Sequence, residues 1–392
     1  MRGWGGRLTI IGLFSLLFIS CDGEAPTFLE REVLFSLGIG RLEDQVDLYS
    51  GTDVVSRGRS RLVMRDGIFY ISNETAGKVM IFNSYGDLFG SYYHPDENPA
   101  PVTLQQRNDQ TALTTKFAVP YRFNMVGEIA VDSDKNLSIV DMLPPERTVF
   151  DSTIGVNLDW TILRFTDDGT FMDYLGQEGI GGTPFPKIDM MRTNTRDELM
   201  VICGTTMSKL IFLFSKTGDL IYRSEIPLDR LPVPELDEDG VAVLDGIAPG
   251  FERRRVYLKI SYYTPSIDEQ TGKEFGIRFE QSRIYWLDLD TGFYESYVDV
   301  PESGQYEFVG VSRGTHLFLV SYRDDDSTEL VIMNLEGRVV RRRLLEFSEY
   351  ELYQRYFYLD ASGILSAFLA YPSRVEIAWW RTDRLLPRGG VF

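Results

Sequence analysis

Tyrosine and arginine recur together at the ends of apolar runs. Tyr121-Arg122 and Tyr322-Arg323 are adjacent pairs, Tyr371 stands three positions before Arg374, and Tyr262-Tyr263 is an aromatic doublet in the same setting. These side chains suit recognition. An aromatic ring carries a large apolar area with a polar tip, and a guanidinium presents a fork of N–H donors that matches a carboxylate or phosphate. Together with Asp141 they form the candidate binding set. Tyrosine is also a favoured strand residue, so a packing role stands open for each. A second group, Glu128, Asn136, Asp141 and Asp245, supplies the hard oxygens that Ca²⁺ takes in numbers of about six to eight. Their spacing matches no ligand pattern. Nucleophilic chemistry is poorly provided for: there is no Gly-x-Ser-x-Gly elbow, Cys-His pairing or phosphate-cradling glycine loop. The histidines number two, His94 and His316, too few for a histidine-rich metal centre. The reading is of no catalytic residues, no metal and no cofactor.

Such residues need a rigid frame, and the composition allows one. The 392 residues are 43% apolar and 25% charged, which suits a globular chain and excludes collagen-like or mostly disordered ones. Acidic side chains number 58 against 40 basic, for a net charge of −18, so nucleic acid is not an expected partner. Two cysteines cannot build a disulfide framework. Cys203, inside an apolar run, reads as a buried small hydrophobe.

Residues 1–20 read as a removable signal segment. Arg2 and Arg7 precede an uncharged, mostly apolar stretch that is too short to span a membrane comfortably. Leu17-Phe18-Ile19-Ser20-Cys21 resembles a bacterial lipobox, with the small Ser20 before the cysteine that becomes acylated. Phe18 departs from the usual Leu and is similar to the looser boxes of spirochaete lipoproteins. The resemblance implies acylation of Cys21, a lipid anchor outside the cytoplasm, and 21–29 as tether. The domain proper is read as 30–386, with 387–392 as a tail.

A repeat fills that domain. A polar-glycine turn recurs at Ser84-Tyr85-Gly86, Asp167-Asp168-Gly169, Lys216-Thr217-Gly218, Asp290-Thr291-Gly292 and Leu335-Glu336-Gly337, with Arg381-Thr382-Asp383 as a degenerate sixth. Each follows a β-type run, has a second run upstream, and all but the last have a fourth run behind. Glycine there suits the positive φ of tight hairpins. The chain ends before a sixth fourth strand, and the lone run Glu32-Val33-Leu34-Phe35-Ser36-Leu37-Gly38 is available to supply it. The predicted fold is all-β: a six-bladed β-propeller of four-stranded antiparallel blades, the last closed by the N-terminal strand.

Two stretches carry a family resemblance. Ile129-Ala130-Val131-Asp132-Ser133-Asp134-Lys135-Asn136-Leu137-Ser138-Ile139-Val140-Asp141 is similar to the core of an NHL repeat, with Lys135 where glycine is usual. Residues 66–73 with 78–82 are similar too, and the whole chain resembles uncharacterised propeller lipoproteins of spirochaetes. The resemblance implies a fold and no activity.

Strand order sorts the loops. First-to-second and third-to-fourth turns share one face, where they are short. Second-to-third loops and interblade links share the other. The long stretches 39–60, 94–120, 143–159, 228–243 and 263–282 all fall there, and variable loops on a rigid scaffold are where binding residues gather. The candidate residues are expected around the channel mouth on that insertion face. The expected function is a membrane-anchored, non-catalytic propeller that binds a protein or envelope component through loops 94–120, 143–159 and 263–282. The alternatives are a Ca²⁺-assisted, lactonase-like hydrolase with a channel site, or a receptor for a sugar or other small ligand. The N-terminal strand begins on the short-turn face, which should therefore lie against the membrane.

Overall fold

A computed structural model describes residues 27–49, 59–106, 116–234, 240–267, 272–301, 306–313, 316–323, 327–347 and 352–386. Cys21, the signal segment, the acidic runs 235–239 and 324–326 and the tail 387–392 lie outside them.

Six antiparallel sheets stand around a central channel, and the predicted propeller is the observed fold. From the inside out, blade 1 is Ser60–Arg65, Ile68–Asn73, Lys78–Asn83 and Leu88–Tyr93. Blade 2 is Val126–Val131, Leu137–Met142, Trp160–Phe165 and Phe171–Gly176; blade 3 is Ile188–Thr193, Leu199–Gly204, Ser208–Phe214 and Leu220–Pro227. Blade 4 is Val241–Pro249, Arg255–Ile267, Glu274–Asp288 and Tyr294–Asp299; blade 5 is Tyr306–Val311, Leu317–Tyr322, Thr328–Met333 and Val339–Leu345. Blade 6 is Gln354–Leu359, Leu365–Ala370 and Arg374–Trp380, closed on the outside by Glu32–Gly38.

Neighbouring blades pack face to face, so the middle strands are covered on both sides. That is why they read as unbroken apolar runs rather than alternating ones. In Leu365–Ala370 every residue is buried. Each core cluster joins two blades: Phe69 and Met80 of blade 1 pack with Phe368 and Ile377 of blade 6 and with Leu37 of the closing strand. Cys203 is fully buried in one such cluster, and burial raises its thiol well above the ordinary range.

The third-to-fourth turns behave as their glycines require. Gly86, Gly169, Gly218, Gly292 and Gly337 all have φ between 74° and 93°. Lys135, standing where the repeat usually has glycine, is held at φ 68°. Successive first-to-second turns are tied around the short-turn face. Lys135 pairs with Asp66 at 3.3 Å, the Ser133 N–H donates to Asp197 at 2.8 Å, the Thr195 hydroxyl donates to the Phe251 carbonyl at 3.0 Å, and Arg313 pairs with Glu252 at 2.9 Å.

Three insertions depart from the loops expected of them. Within 94–120, Gln105–Gln106 and Phe117–Pro120 add parallel strands outside blade 1. Within 143–159, Val149–Asp151 and Val156–Leu158 form a small hairpin. Residues 263–282 are largely not a loop: the two middle strands of blade 4 run on, paired as far as Ile267 with Glu274, and project as a ribbon. Part of the stretch read as tether is paired. Thr27–Leu29 pairs in parallel with Arg343–Leu345 on the rim of blade 5, six positions after Cys21 in the sequence.

Candidate functional site

The candidate residues fall in separate places and serve mostly internal contacts. Tyr121 is half-buried at the rim, its ring 4.8 Å from that of Phe123 and 5.7 Å from that of Phe165. Arg122 is exposed and pairs with Asp96 at 3.2 Å. Tyr262 is fully buried, and its hydroxyl donates to the Pro232 carbonyl at 2.6 Å. Tyr371 is buried under the N-terminal chain, its hydroxyl accepting from Arg31 at 3.3 Å and its ring 5.0 Å from the Arg374 guanidinium. Arg374 also pairs with Glu376 at 2.8 Å. Arg323 is exposed next to residues outside the described set. Of the set, Tyr322 reaches the innermost strands: it donates to Glu307 at 2.7 Å, and the Arg355 guanidinium sits 3.6 Å from its ring centre.

Asp141 is a buried latch. It accepts the backbone N–H groups of Asn124 at 3.0 Å and Met125 at 2.9 Å, fixing the chain as it enters blade 2. Burial pushes its carboxyl up to about 6, against the pull of those donors. The folded state thus holds the proton more tightly than the unfolded state, whose value is about 3.9. Stability contributed by this group is therefore highest below about pH 4 and falls, by about 2–3 kcal/mol in all, as pH rises through 6. Asp141→Asn is expected to remove that slope. Chemical denaturation of both proteins from pH 4 to 7.5 checks it, and parallel curves would refute the assignment.

The oxygens considered for calcium are likewise engaged apart from one another. Asn136 donates to Asp132 at 2.8 Å, Asp245 holds Lys259 and Ser261 at 2.6 Å each, and Glu128 accepts from Arg61. Among the described residues no three of His, Cys, Asp and Glu gather as a metal cluster.

Two features take a form that the sequence did not show. The first is the blade 4 ribbon. Antiparallel register sets Tyr263 opposite Phe279 and Pro265 opposite Ile277, and Phe275 is the extra residue at a register shift beside Ile267. The other side carries Thr264, Arg278 and Glu280, with Glu280 accepting from Thr264 at 2.6 Å. The apolar residues toward its tip are open: Ile267, Phe275 and Ile277 are 59%, 74% and 65% exposed. Period-two alternation of Phe275, Ile277 and Phe279 against Tyr263, Pro265 and Ile267 was the available signal.

The second is the channel, which is layered. Nearest the insertion face lie Glu307, Tyr322 and Arg355. Beside them Arg61 pairs with Glu128, with the Tyr356 ring 5.2 Å from the guanidinium. Burial raises the Glu128 carboxyl, with Arg61 pulling the other way. Next comes Arg192, whose guanidinium lies 4.9 Å from the Phe251 ring and 5.2 Å from the Tyr358 ring. A cavity of about 610 Å³ then opens on the short-turn face, walled by Arg65, Thr193, Phe251, Tyr358, Asp360 and Trp379. Nothing in the sequence marks Arg192, because its neighbours come from three other blades.

The architecture places the chain in the class of six-bladed β-propellers, closed by its own N-terminal strand. No protein-family model and no curated protein matches it. Among solved structures it is similar to the Dos1 propeller, at 10% identity and TM-score 0.33 over 80% of this chain and 88% of that one. It is similar to the C-terminal WD40 domain of Sif2, at 10% identity and TM-score 0.36 over 90% and 98%. A third is the β-propeller domain of the Trilobed protease from Pyrococcus furiosus, described as having an open velcro topology, at 10% identity and TM-score 0.38 over 82% and 95%.

Proposed function

We propose that the chain is a membrane-anchored bacterial lipoprotein that works as a non-catalytic propeller, holding a protein or envelope component on its insertion face. The observation that carries this reading is the amphipathic blade 4 ribbon. Its two strands are 13 and 15 residues long, where the other blades use six or seven in the same positions. A ribbon that projects with one apolar side uncovered exposes area that stays costly until something covers it, and such surfaces mark interaction sites. The opposite side is polar and internally paired, so the ribbon has one side to offer.

Acyl chains on Cys21 supply the anchor, each buried methylene contributing about 0.8 kcal/mol. Thr27–Leu29 runs parallel to Val339–Leu345, so a chain continued backwards from Thr27 heads for the short-turn end of that strand. This direction favours the short-turn face toward the membrane and the ribbon away from it. The spacer of six positions allows at most about 20 Å of reach.

Replacing Phe275 and Ile277 together by serine removes the apolar side without touching the blade core. Partner recovery with the tethered protein, measured from native membranes, is expected to fall at least about thirtyfold, equivalent to about 2 kcal/mol. The melting temperature should stay unchanged. Equal recovery with both proteins would refute the ribbon as the contact.

A further inference from the structure

We propose that the channel holds a small organic carboxylate, with Arg192 as its anchor and the cavity on the short-turn face as its entrance. This site is separate from the ribbon and faces the opposite end of the propeller.

The argument begins with an unbalanced charge. Arg192 is 9% exposed, yet no carboxylate pairs with it among the described residues, and its buried Nη1 has no hydrogen-bond partner. Buried cations are normally matched, because leaving one unpaired forfeits its hydration with nothing in return. Arg61, Lys259 and Arg65, on or beside the innermost strands, follow that rule: Arg61 has Glu128, Lys259 has Asp245 at 2.6 Å, and Arg65 donates to the Val131 carbonyl at 3.0 Å and lies 3.8 Å from Asp197. Arg192 instead has rings. Phe251 and Tyr358 meet the guanidinium and return part of the lost hydration through their π faces. A ring contact is no substitute for a hydrogen bond, and the unpartnered Nη1 leaves an N–H donor for a planar acceptor such as a carboxylate.

The surroundings select among anions. Phe251, Tyr358 and Thr193, the chain neighbour of Arg192, wall the cavity of about 610 Å³, although Arg192 itself does not, so a ligand that reaches Arg192 from the cavity can lay an apolar body against the same rings. That volume lies within the usual range for small-molecule sites. Asp66 and Asp360 line the cavity as well, and they oppose a second negative charge. Arg313 and Arg381 at its edge are taken, by Glu252 at 2.9 Å and Asp383 at 2.7 Å. One free guanidinium among carboxylates fits a monoanion better than a phosphate dianion.

Calorimetric titration of the full chain with benzoate, benzamide and inorganic phosphate tests the assignment. Benzoate is expected to bind saturably, with phosphate weaker and benzamide, its neutral isostere, undetected. Arg192→Met should weaken benzoate at least tenfold and leave the ligand-free melting temperature equal or higher, because it removes an unpaired buried charge. Arg192→Lys, which keeps the charge but not the planar fork, should also weaken benzoate, by a smaller factor. The proposal is overturned if benzoate shows no saturable binding below about 10 mM, or if benzamide or phosphate binds as well. It is equally overturned if the Arg192 variants bind benzoate unchanged. A lowered melting temperature or failure to fold in Arg192→Met, with Arg192→Lys binding benzoate at full strength, assigns the residue to structure instead.

Discussion

A chain that starts at residue 39 is expected to lose cooperative unfolding and to self-associate, while one that starts at residue 27 keeps the melting temperature of the full chain. The difference is the strand Glu32–Gly38. It pairs along Arg374–Trp380 from Glu32 with Trp379 to Gly38 with Arg374. Its side chains also cross the junction between blade 6 and blade 1. The Phe35 ring lies 5.2 Å from Phe82 and 5.9 Å from Phe69, and Leu37 is 4% exposed. Leu37 is buried and Leu34 and Phe35 are half-buried, together worth about 3–6 kcal/mol, a large part of the stability of an ordinary domain. Removing the strand also uncovers the backbone edge of Arg374–Trp380, and an open apolar edge pairs with other chains. Thermal melting with size-exclusion chromatography on the two truncations checks this. A cooperative, monomeric 39–392 protein would show that the ring closes without its N-terminal strand.

The second large effect is expected at the Arg61–Glu128 pair inside the channel. Arg61→Met alone leaves a buried carboxylate with no cation, a change that costs about 3–5 kcal/mol in comparable sites. Adding Glu128→Leu removes the orphaned charge, so the double variant should recover most of that loss. The pH dependence has a definite sign. Burial already raises the folded Glu128 above its unfolded value of about 4.3, and loss of Arg61 raises it further. A group that binds its proton more tightly when folded contributes most stability at low pH and loses it as pH rises. The deficit of Arg61→Met should therefore shrink toward pH 4 and widen toward pH 8. Equal deficits at both ends, or a double variant no better than the single one, would contradict a buried ion pair.

The sequence displayed the frame more clearly than the contacts. Glycine at the third-to-fourth turns was readable because only a positive φ explains it so regularly, and all five take one. The lone run at residues 32–38 was readable as the missing strand because the last unit lacked one. The ribbon was hidden because the polar stretch Asp268-Glu269-Gln270-Thr271-Gly272-Lys273 reads as the centre of a long loop, although alternation continues on both sides of it. Asp141 looked like a site carboxylate, but its partners are backbone N–H groups, which no pattern of side chains announces. Arg192 was illegible for a related reason. Its isolation depends on what blades 4, 5 and 6 fail to place beside it, and only the closed ring reveals that.

Photo-crosslinking in native envelopes tests the functional reading at its most exposed point. A photoreactive amino acid at Ile277, on the apolar side of the ribbon, should give one dominant adduct of increased mass. The same group at Tyr85, which is 85% exposed on the short-turn face, should give none of that species. The same adduct from both positions, or none from Ile277 while Tyr85 reacts, would contradict binding through the insertion face.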